Sequence, residues 1–289
     1  MTSTPAPTAT ARTKTTSAFY VTGATTQFAS RYDQRLSYCL YVPSAHETAT
    51  EPLPLLVMQH GTGRTGPQYR DAMAEFAEEH GIVVLAPLFP AGLGDDPDDL
   101  HNFKFIAHQG IRFDLALLAI VEEAAERVHI DTSRFVLHGF SGGGQFAHRF
   151  LLLHPDRLAG VSIGAPGRVT LIDPEREWWL GTKGFAERFG DPVDLNLVRK
   201  VLVHMVIGAE DTETWEINNP GDSNWMDGAD DVGRTRVERI SALRDNYRAH
   251  GIDVTLDVVP GLGHDGMGVL EQVRDFAARV LRAERRTHG

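Results

Sequence analysis

The chain's most specific chemical signal is a serine set between glycines. The short, largely apolar run Phe135-Val136-Leu137-His138 leads directly into Gly139-Phe140-Ser141-Gly142-Gly143-Gly144. A Gly-x-Ser-x-Gly turn between a strand and a helix is an elbow that presents a hydroxyl at the top of a sheet. A serine hydroxyl is a poor nucleophile by itself. It needs a base within hydrogen-bond reach, and the base needs an acid to orient it. Where an elbow carries the nucleophile, those partners come later in the chain, acid first and histidine second, each after a further strand.

Both positions are filled. The run Val203-His204-Met205-Val206-Ile207-Gly208-Ala209-Glu210-Asp211 reads as a strand, a glycine and then a carboxylate. Asp211 fits the Gly-x-x-Asp placement, and the neighbouring Glu210 stays open as an alternative acid. After the last strand, Gly261-Leu262-Gly263-His264-Asp265-Gly266 sets His264 in a glycine-rich loop. An imidazole can take the serine proton and return it to a leaving group. The Gly142 N–H, at the start of the helix after the elbow, points toward a developing oxyanion. A second donor is expected from Thr62 in His60-Gly61-Thr62-Gly63, the loop after an earlier strand.

Competing signals are weaker. Gly61-Thr62-Gly63-Arg64-Thr65-Gly66 matches the glycine pattern of a dinucleotide loop, but the next strand ends in Ala86-Pro87-Leu88-Phe89 without the acidic residue that should hold a ribose. A phosphate loop fails because Pro67-Gln68 stand where Lys and Ser or Thr belong. No His-Glu-x-x-His occurs, the acidic run Asp95 to Asp99 reads as a solvated loop, and Asp222 to Gly228 lacks calcium-loop spacing. No metal and no cofactor are expected. Phe89, Trp178, Trp179, Trp215 and Trp225 fall in segments that should border the strand ends, where they can line a substrate pocket or pack in the core.

These residues need a scaffold. Leu36 to Val42, Leu55 to Gln59, Ile82 to Ala86, Phe135 to His138, Leu158 to Ile163, Val201 to Ile207 and Val254 to Val259 read as strands, with an earlier one at Phe19 to Val21. Helical spacing marks 67–80, 111–128, 142–153, 232–249 and 268–285. Apolar strands alternating with helices predict an α/β fold, a mostly parallel central sheet with helices on both faces. Ligands of such sheets bind outside the carboxyl ends of the strands. The stretch of about 165–200 exceeds a plain crossover and is expected to form a small helical cap.

Composition sets the outer bounds. The chain has 289 residues, 42% of them hydrophobic, enough for one large α/β domain over 18–289. A net charge of −11 argues against a nucleic-acid partner. The single cysteine, Cys39, permits no internal disulfide and reads as a small buried hydrophobe. Residues 1–17, rich in Thr, Ala, Pro and Ser, read as a disordered tail without a signal-peptide core. No apolar run is long enough to span a bilayer. A cytoplasmic protein without a membrane partner is expected, its partner a small ester or amide, with a homodimer left open.

With its motifs at His60-Gly61, Gly139 to Gly143, Asp211 and His264, the chain resembles α/β-hydrolase-fold serine hydrolases over about residues 19–285. It is most similar to the polyhydroxybutyrate-depolymerase-like and dienelactone-hydrolase-like bacterial esterases. The resemblance implies Ser141 as nucleophile, Asp211 as acid, His264 as base, and Gly142 with Thr62 as oxyanion donors. The longer His-Gly-Gly-Gly loop of lipase-type esterases is absent, and Cys39 lies far from the elbow, unlike the cysteine nucleophile of dienelactone enzymes. The expected activity is ester hydrolysis through an acyl-enzyme. Amide hydrolysis or acyl transfer by the same triad is the nearest alternative, and a non-hydrolytic lyase or binding protein on this fold is the more distant one.

Overall fold

Runs of β-branched and large apolar residues set the sheet, and amphipathic segments cover it. The computed structural model describes residues 21–287, apart from Asp98, Glu216 and Ser223. Two short strands, β1 (Gly23–Ala24) and β2 (Phe28–Ala29), pair antiparallel with β3 (Ser37–Val42). Next come β4 (Leu55–Gln59), helices α1 (Gly66–Ala72) and α2 (Ala74–His80), and β5 (Val83–Leu88). A small hairpin, β6 (Ala107–His108) with β7 (Ile111–Arg112), precedes α3 (Phe113–Ala125). The second half runs β8 (Phe135–Phe140), α4 (Gly142–Leu153), β9 (Leu158–Gly164), α5 (Phe185–Phe189), α6 (Leu195–Val198), β10 (Leu202–Gly208), α7 (Arg236–Ala249), β11 (Val254–Val259) and α8 (Leu270–Thr287).

The main sheet runs β1-β3-β5-β4-β8-β9-β10-β11, with β2 beside β3. From β5 to β11 every pairing is parallel, and β3 joins β5 antiparallel. Strands β4, β8 and β9 are buried at every position, as expected of a parallel sheet covered on both faces. Their register levels the carboxyl ends: Gln59 pairs with Gly139, Phe140 with Gly164, and Gly208 with Val259. The loops that carry the candidate site therefore leave one edge of the sheet side by side.

Helices dock by their apolar stripes. In α8, Val273, Phe276, Ala277, Val280 and Leu281 are buried at the three-and-four spacing of a helix face. Phe89 meets Phe103, Phe113 and Phe146 at centroid distances of 6.0, 5.1 and 5.9 Å, an aromatic cluster between β5 and α4. Each such ring stabilises the fold by about 1.5–3 kcal/mol relative to exposure. Helix α7 starts with a full capping box between Thr235 and Glu238, worth roughly 0.5–2 kcal/mol.

Several sequence expectations are corrected. Residues 67–80 form two helices because Met73, at φ −97° and ψ 5°, turns fully inward and interrupts the first. Helix α3 starts late because Ile111 and Arg112 pair with the hairpin, and α7 starts at Arg236 because Gly233, at φ 114°, ends the preceding turn. The tail 1–17 and most of the strand expected at Phe19 to Val21 lie outside the described residues, and Val21 is in a turn. The segment 165–200 holds only the short α5 and α6 among its helices. Its first residues, Ala165 to Thr170, are buried against the body, with Arg149 donating to Thr170 Oγ1 at 2.8 Å. No described helix is long and apolar enough to cross a membrane.

Candidate active site

The elbow is held in a strained backbone. Ser141 sits at φ 57° and ψ −116°, outside the regions a non-glycine residue prefers, at a cost of about 1–3 kcal/mol. The surrounding structure enforces it: the Ser141 N–H donates to Gly164 O at 2.9 Å, and the Gln145 N–H returns to Ser141 O at 3.0 Å. Glycine is required beside it by close approach. A Cβ on Gly143 would lie 2.5 Å from Gln59 O and 2.8 Å from His60 O, so α4 crosses the end of β4 only because that atom is missing.

The loop after β4 packs against this elbow. A Cβ on Gly142 would meet Thr62 N and Thr62 Oγ1 at 3.1 Å, and one on Gly61 would lie 3.6 Å from Ser141 Cβ. As the first residue of α4, Gly142 has an N–H with no partner inside the helix. Thr62 N–H donates to none of the described protein acceptors. Two amide donors thus flank the serine. Buried His60 fixes the loop: its Nδ1 lies 2.8 Å from Gly61 O and its Nε2 accepts from the Phe89 N–H at 2.9 Å. That pattern needs a neutral ring, and burial pushes its pKa down to about 3. Arg64 fills the loop's far side, donating to Thr62 O, Leu100 O and Phe89 O.

The acid and the imidazole meet across two loops. His264 Nδ1 lies 2.6 Å from Asp211 Oδ2. Asp211 is fully buried, the His264 side chain is 27% exposed, and Glu210 is exposed. Backbone bonds tie the loops together, from Ala209 N to Val259 O and from Glu210 N to Leu262 O, both at 2.9 Å. Gly208 permits this contact, since a Cβ there would lie 2.2 Å from Leu262 O. A second oxygen of Asp211, Oδ1, accepts from Arg236 Nη1 at 3.2 Å. The His264 ring leans on Phe140 at a centroid distance of 4.9 Å.

Ser141, His264 and Thr62 line one open cleft of about 470 Å³ with Gly61, Gly63, Thr65, Tyr69, Leu100, Phe140 and Gly266. Among the described residues, Ser141 Oγ and the His264 ring are not hydrogen-bonded to each other. A larger cavity, about 580 Å³, lies at the opposite, amino ends of the strands beside Leu55 and Phe135 and holds no nucleophile. The carboxyl-end cleft is where ligands of parallel sheets bind.

The aromatic pocket residues expected from sequence lie elsewhere. Phe89 belongs to the core cluster, and Trp178 packs on Phe185 and Phe189 at 5.7 and 4.9 Å. Trp179 is buried with its indole N–H on Asn224 O, while Trp215 and Trp225 are exposed. None of them lines the cleft, and neither does any residue of 165–200. Tyr69 and Leu100 do, and nothing in their local sequence marked them.

A second Ser-His-Asp chain exists inside the sheet. Ser162 Oγ contacts His138 Nδ1 and His204 Nδ1, each at 2.9 Å, and His204 Nε2 lies 3.1 Å from Asp257 Oδ2. Strand register lines up His138, Ser162 and His204 across β8 to β10, and Asp257 lies on β11 two residues beyond Thr255, the partner of His204. Ser162 and His138 are fully buried and His204 nearly so. Ser162 is fully buried and lines none of the clefts described, so this chain joins buried polar groups to one another and offers no substrate a way in.

No family model matches the chain. Among solved structures, a poly(aspartic acid) hydrolase from Sphingomonas sp. KT-1 superposes with a TM-score of 0.67 at 22% identity, covering 84% of this chain and 93% of that one. A poly(3-hydroxybutyrate) depolymerase from Bordetella parapertussis gives 0.64 at 24% identity, covering 86% of this chain and 87% of the other. Among curated proteins, a probable carboxylesterase from Phoma sp. is 26% identical over 190 residues, 60% of this chain and 57% of that protein. A tuliposide A-converting enzyme of Tulipa gesneriana is 28% identical over 189 residues, 62% of this chain and 44% of its own length. The chain spans about half the length of the curated relatives it matches. Sheet order, elbow and neighbours together define the α/β-hydrolase fold, and in sequence the chain is similar to carboxylesterases.

Proposed function

We propose that this protein is a serine hydrolase that cleaves a carboxylic ester through an acyl-enzyme. The observation that carries the reading is the 2.6 Å contact of His264 Nδ1 with buried Asp211, its ring opening onto the cleft that holds Ser141 on a strained elbow. Asp211 keeps the proton on Nδ1, which leaves Nε2 free to accept from the serine hydroxyl. That last hydrogen bond is of the kind that closes when substrate binds. Ser141 Oγ attacks the ester carbonyl carbon while His264 takes its proton. The resulting oxyanion is held by the Gly142 and Thr62 N–H groups. As the tetrahedral intermediate collapses, the imidazolium protonates the departing alkoxide. Water, deprotonated by the same imidazole, then releases the acid and restores the serine. The route requires no cofactor. The carboxylesterase names of the curated relatives support an ester as substrate, and the cleft, lined by Tyr69, Leu100 and Phe140, suits a small one.

Ser141→Ala tests the proposal. The variant should lose the burst and turnover of a p-nitrophenyl ester and its labelling by a fluorophosphonate, with the melting temperature kept. Retained labelling in the variant would remove Ser141 from its role.

A further inference from the structure

We infer that Tyr69 is a specificity-determining residue whose hydroxyl donates to a neutral oxygen acceptor on the alcohol portion of the ester, a few bonds beyond the scissile oxygen; the inference rests on the ester chemistry proposed above and names its substrate class. Tyr69 stands on α1 and is only 5% exposed, yet it lines the cleft with Ser141 and His264. Its ring belongs to the core, edge-on to buried His138 at a centroid distance of 6.5 Å. Its hydroxyl end lies against Gly266, another lining residue. A Cβ on Gly266 would collide with Tyr69 Oη, so the hydroxyl takes the room a side chain there would fill. Among the described residues, Tyr69 Oη has no hydrogen-bond partner. Buried phenols nearly always find one. The open side of this one is the cleft, and a substrate is what can reach it there.

The position of the hydroxyl says which half of the ester it meets. The carbonyl oxygen belongs to the Gly142 and Thr62 donors, and the departing oxygen must face His264, which returns its proton. The alcohol portion therefore leaves along the side of the cleft that His264 forms. Tyr69 Oη is on that side. It touches the Gly266 backbone, two residues past His264, and Gly266 packs on the same Phe140 ring that the imidazole leans on at 4.9 Å. The acceptor it meets is neutral. Burial, and after it the Asp265 carboxylate, pushes the phenol up to about 12, so the hydroxyl keeps its proton and donates. Asp265 also repels an anion, and no lysine or arginine among the described residues lines the cleft. An ether, hydroxyl or carbonyl oxygen fits the place, and a carboxylate does not. An alcohol that is purely alkyl would leave the hydroxyl unpaired, which is how a polar site rejects an apolar analogue.

The test measures kcat/KM by acid release for methoxyethyl butyrate and butyl butyrate, whose alcohols match in shape and differ by one ether oxygen. The ratio of the two values should fall about fivefold from the unaltered protein to Tyr69→Phe. The intrinsic reactivity of the esters cancels in that comparison. Butyl methoxypropanoate and butyl pentanoate place the same difference on the acyl side, and their ratio should not follow. Carboxyethyl butyrate should be the poorest alcohol of the three in the unaltered protein. Tyr69→Leu carries the same comparison if Tyr69→Phe does not fold. A butyrate ratio that changes less than twofold overturns the inference, and so does an equal change in the acyl-side ratio or a preference for the carboxylate. If the unaltered protein turns over none of these esters in a Ser141-dependent way, the ester reading itself has failed and takes this inference with it.

Discussion

At the scale of single residues, the decisive features are which atoms face each other. Asp211 and Glu210 are neighbours in the chain, yet only Asp211 is buried on the imidazole. Asp211→Asn should therefore lower kcat by about 10⁴-fold, since an amide no longer fixes the tautomer, whereas Glu210→Gln should leave it within about twofold. Equal losses in the two variants, measured on the same p-nitrophenyl ester, would dissolve the distinction. Sequence could bring Ser141, Asp211 and His264 forward because each follows a strand within a glycine-containing turn. The Gly-x-x-Asp placement favoured Asp211 over Glu210 without closing the choice, because that depends on which carboxylate turns inward. The aromatic residues failed for a related reason. Trp178 and Phe89 have the same composition signal whether they face a cleft or a core, and here they pack on Phe189 and Phe113. The contact of Arg236 with Asp211 was invisible because the carboxylate lies 25 residues earlier on another element.

At the scale of elements, the elbow works by crowding. Helix α4 runs so close under β4 that Gly143 has carbonyl oxygens where a side chain would go. Gly143→Ala should destabilise the fold by about 1–3 kcal/mol through the shift needed to relieve that clash, read as a lower urea midpoint with m unchanged. An unaltered midpoint would mean that the helix can slide away at little cost. Hydrophobic runs and glycine stops made the main-sheet strands β3, β4, β5, β8, β9, β10 and β11 readable, most plainly β4, β8 and β9, where burial on both faces demands a continuously apolar run, whereas the short β6–β7 hairpin was not read. Helix boundaries were less readable. Met73, Ile111 and Gly233 each end or delay a helix through tertiary packing or backbone angle, which local spacing does not record. The segment expected as a cap carries the short helices α5 and α6, and its first residues are buried and tied to α4 through Arg149 and His148.

At the scale of the whole molecule, buried histidines dominate the response to acid. Burial pushes His60 and His138 down to about 3 and His204 to about 4. His101 falls to about 4, through burial first and then the cations Lys104 and Arg168. In the unfolded chain these rings titrate near 6.5. Between about pH 6.5 and 4 the unfolded state therefore binds more protons, so stability rises with pH across that window and is lost as pH falls through it. The melting temperature should drop steadily from pH 6.5 to 4.5 in scanning calorimetry. A flat curve over that interval would contradict the burial of these rings.

The position of Cys39 makes the molecule convenient for covalent profiling. Its thiol is 1% exposed on β3, and burial raises its pKa, so the reactive thiolate is scarce. With no other sulfhydryl in the sequence, a thiol-directed electrophile should leave the native protein unlabelled, so an acylating or phosphonylating probe is read without a thiol background. The stoichiometry of an intact-mass adduct then counts occupied nucleophiles directly, and one equivalent per chain is the value to look for.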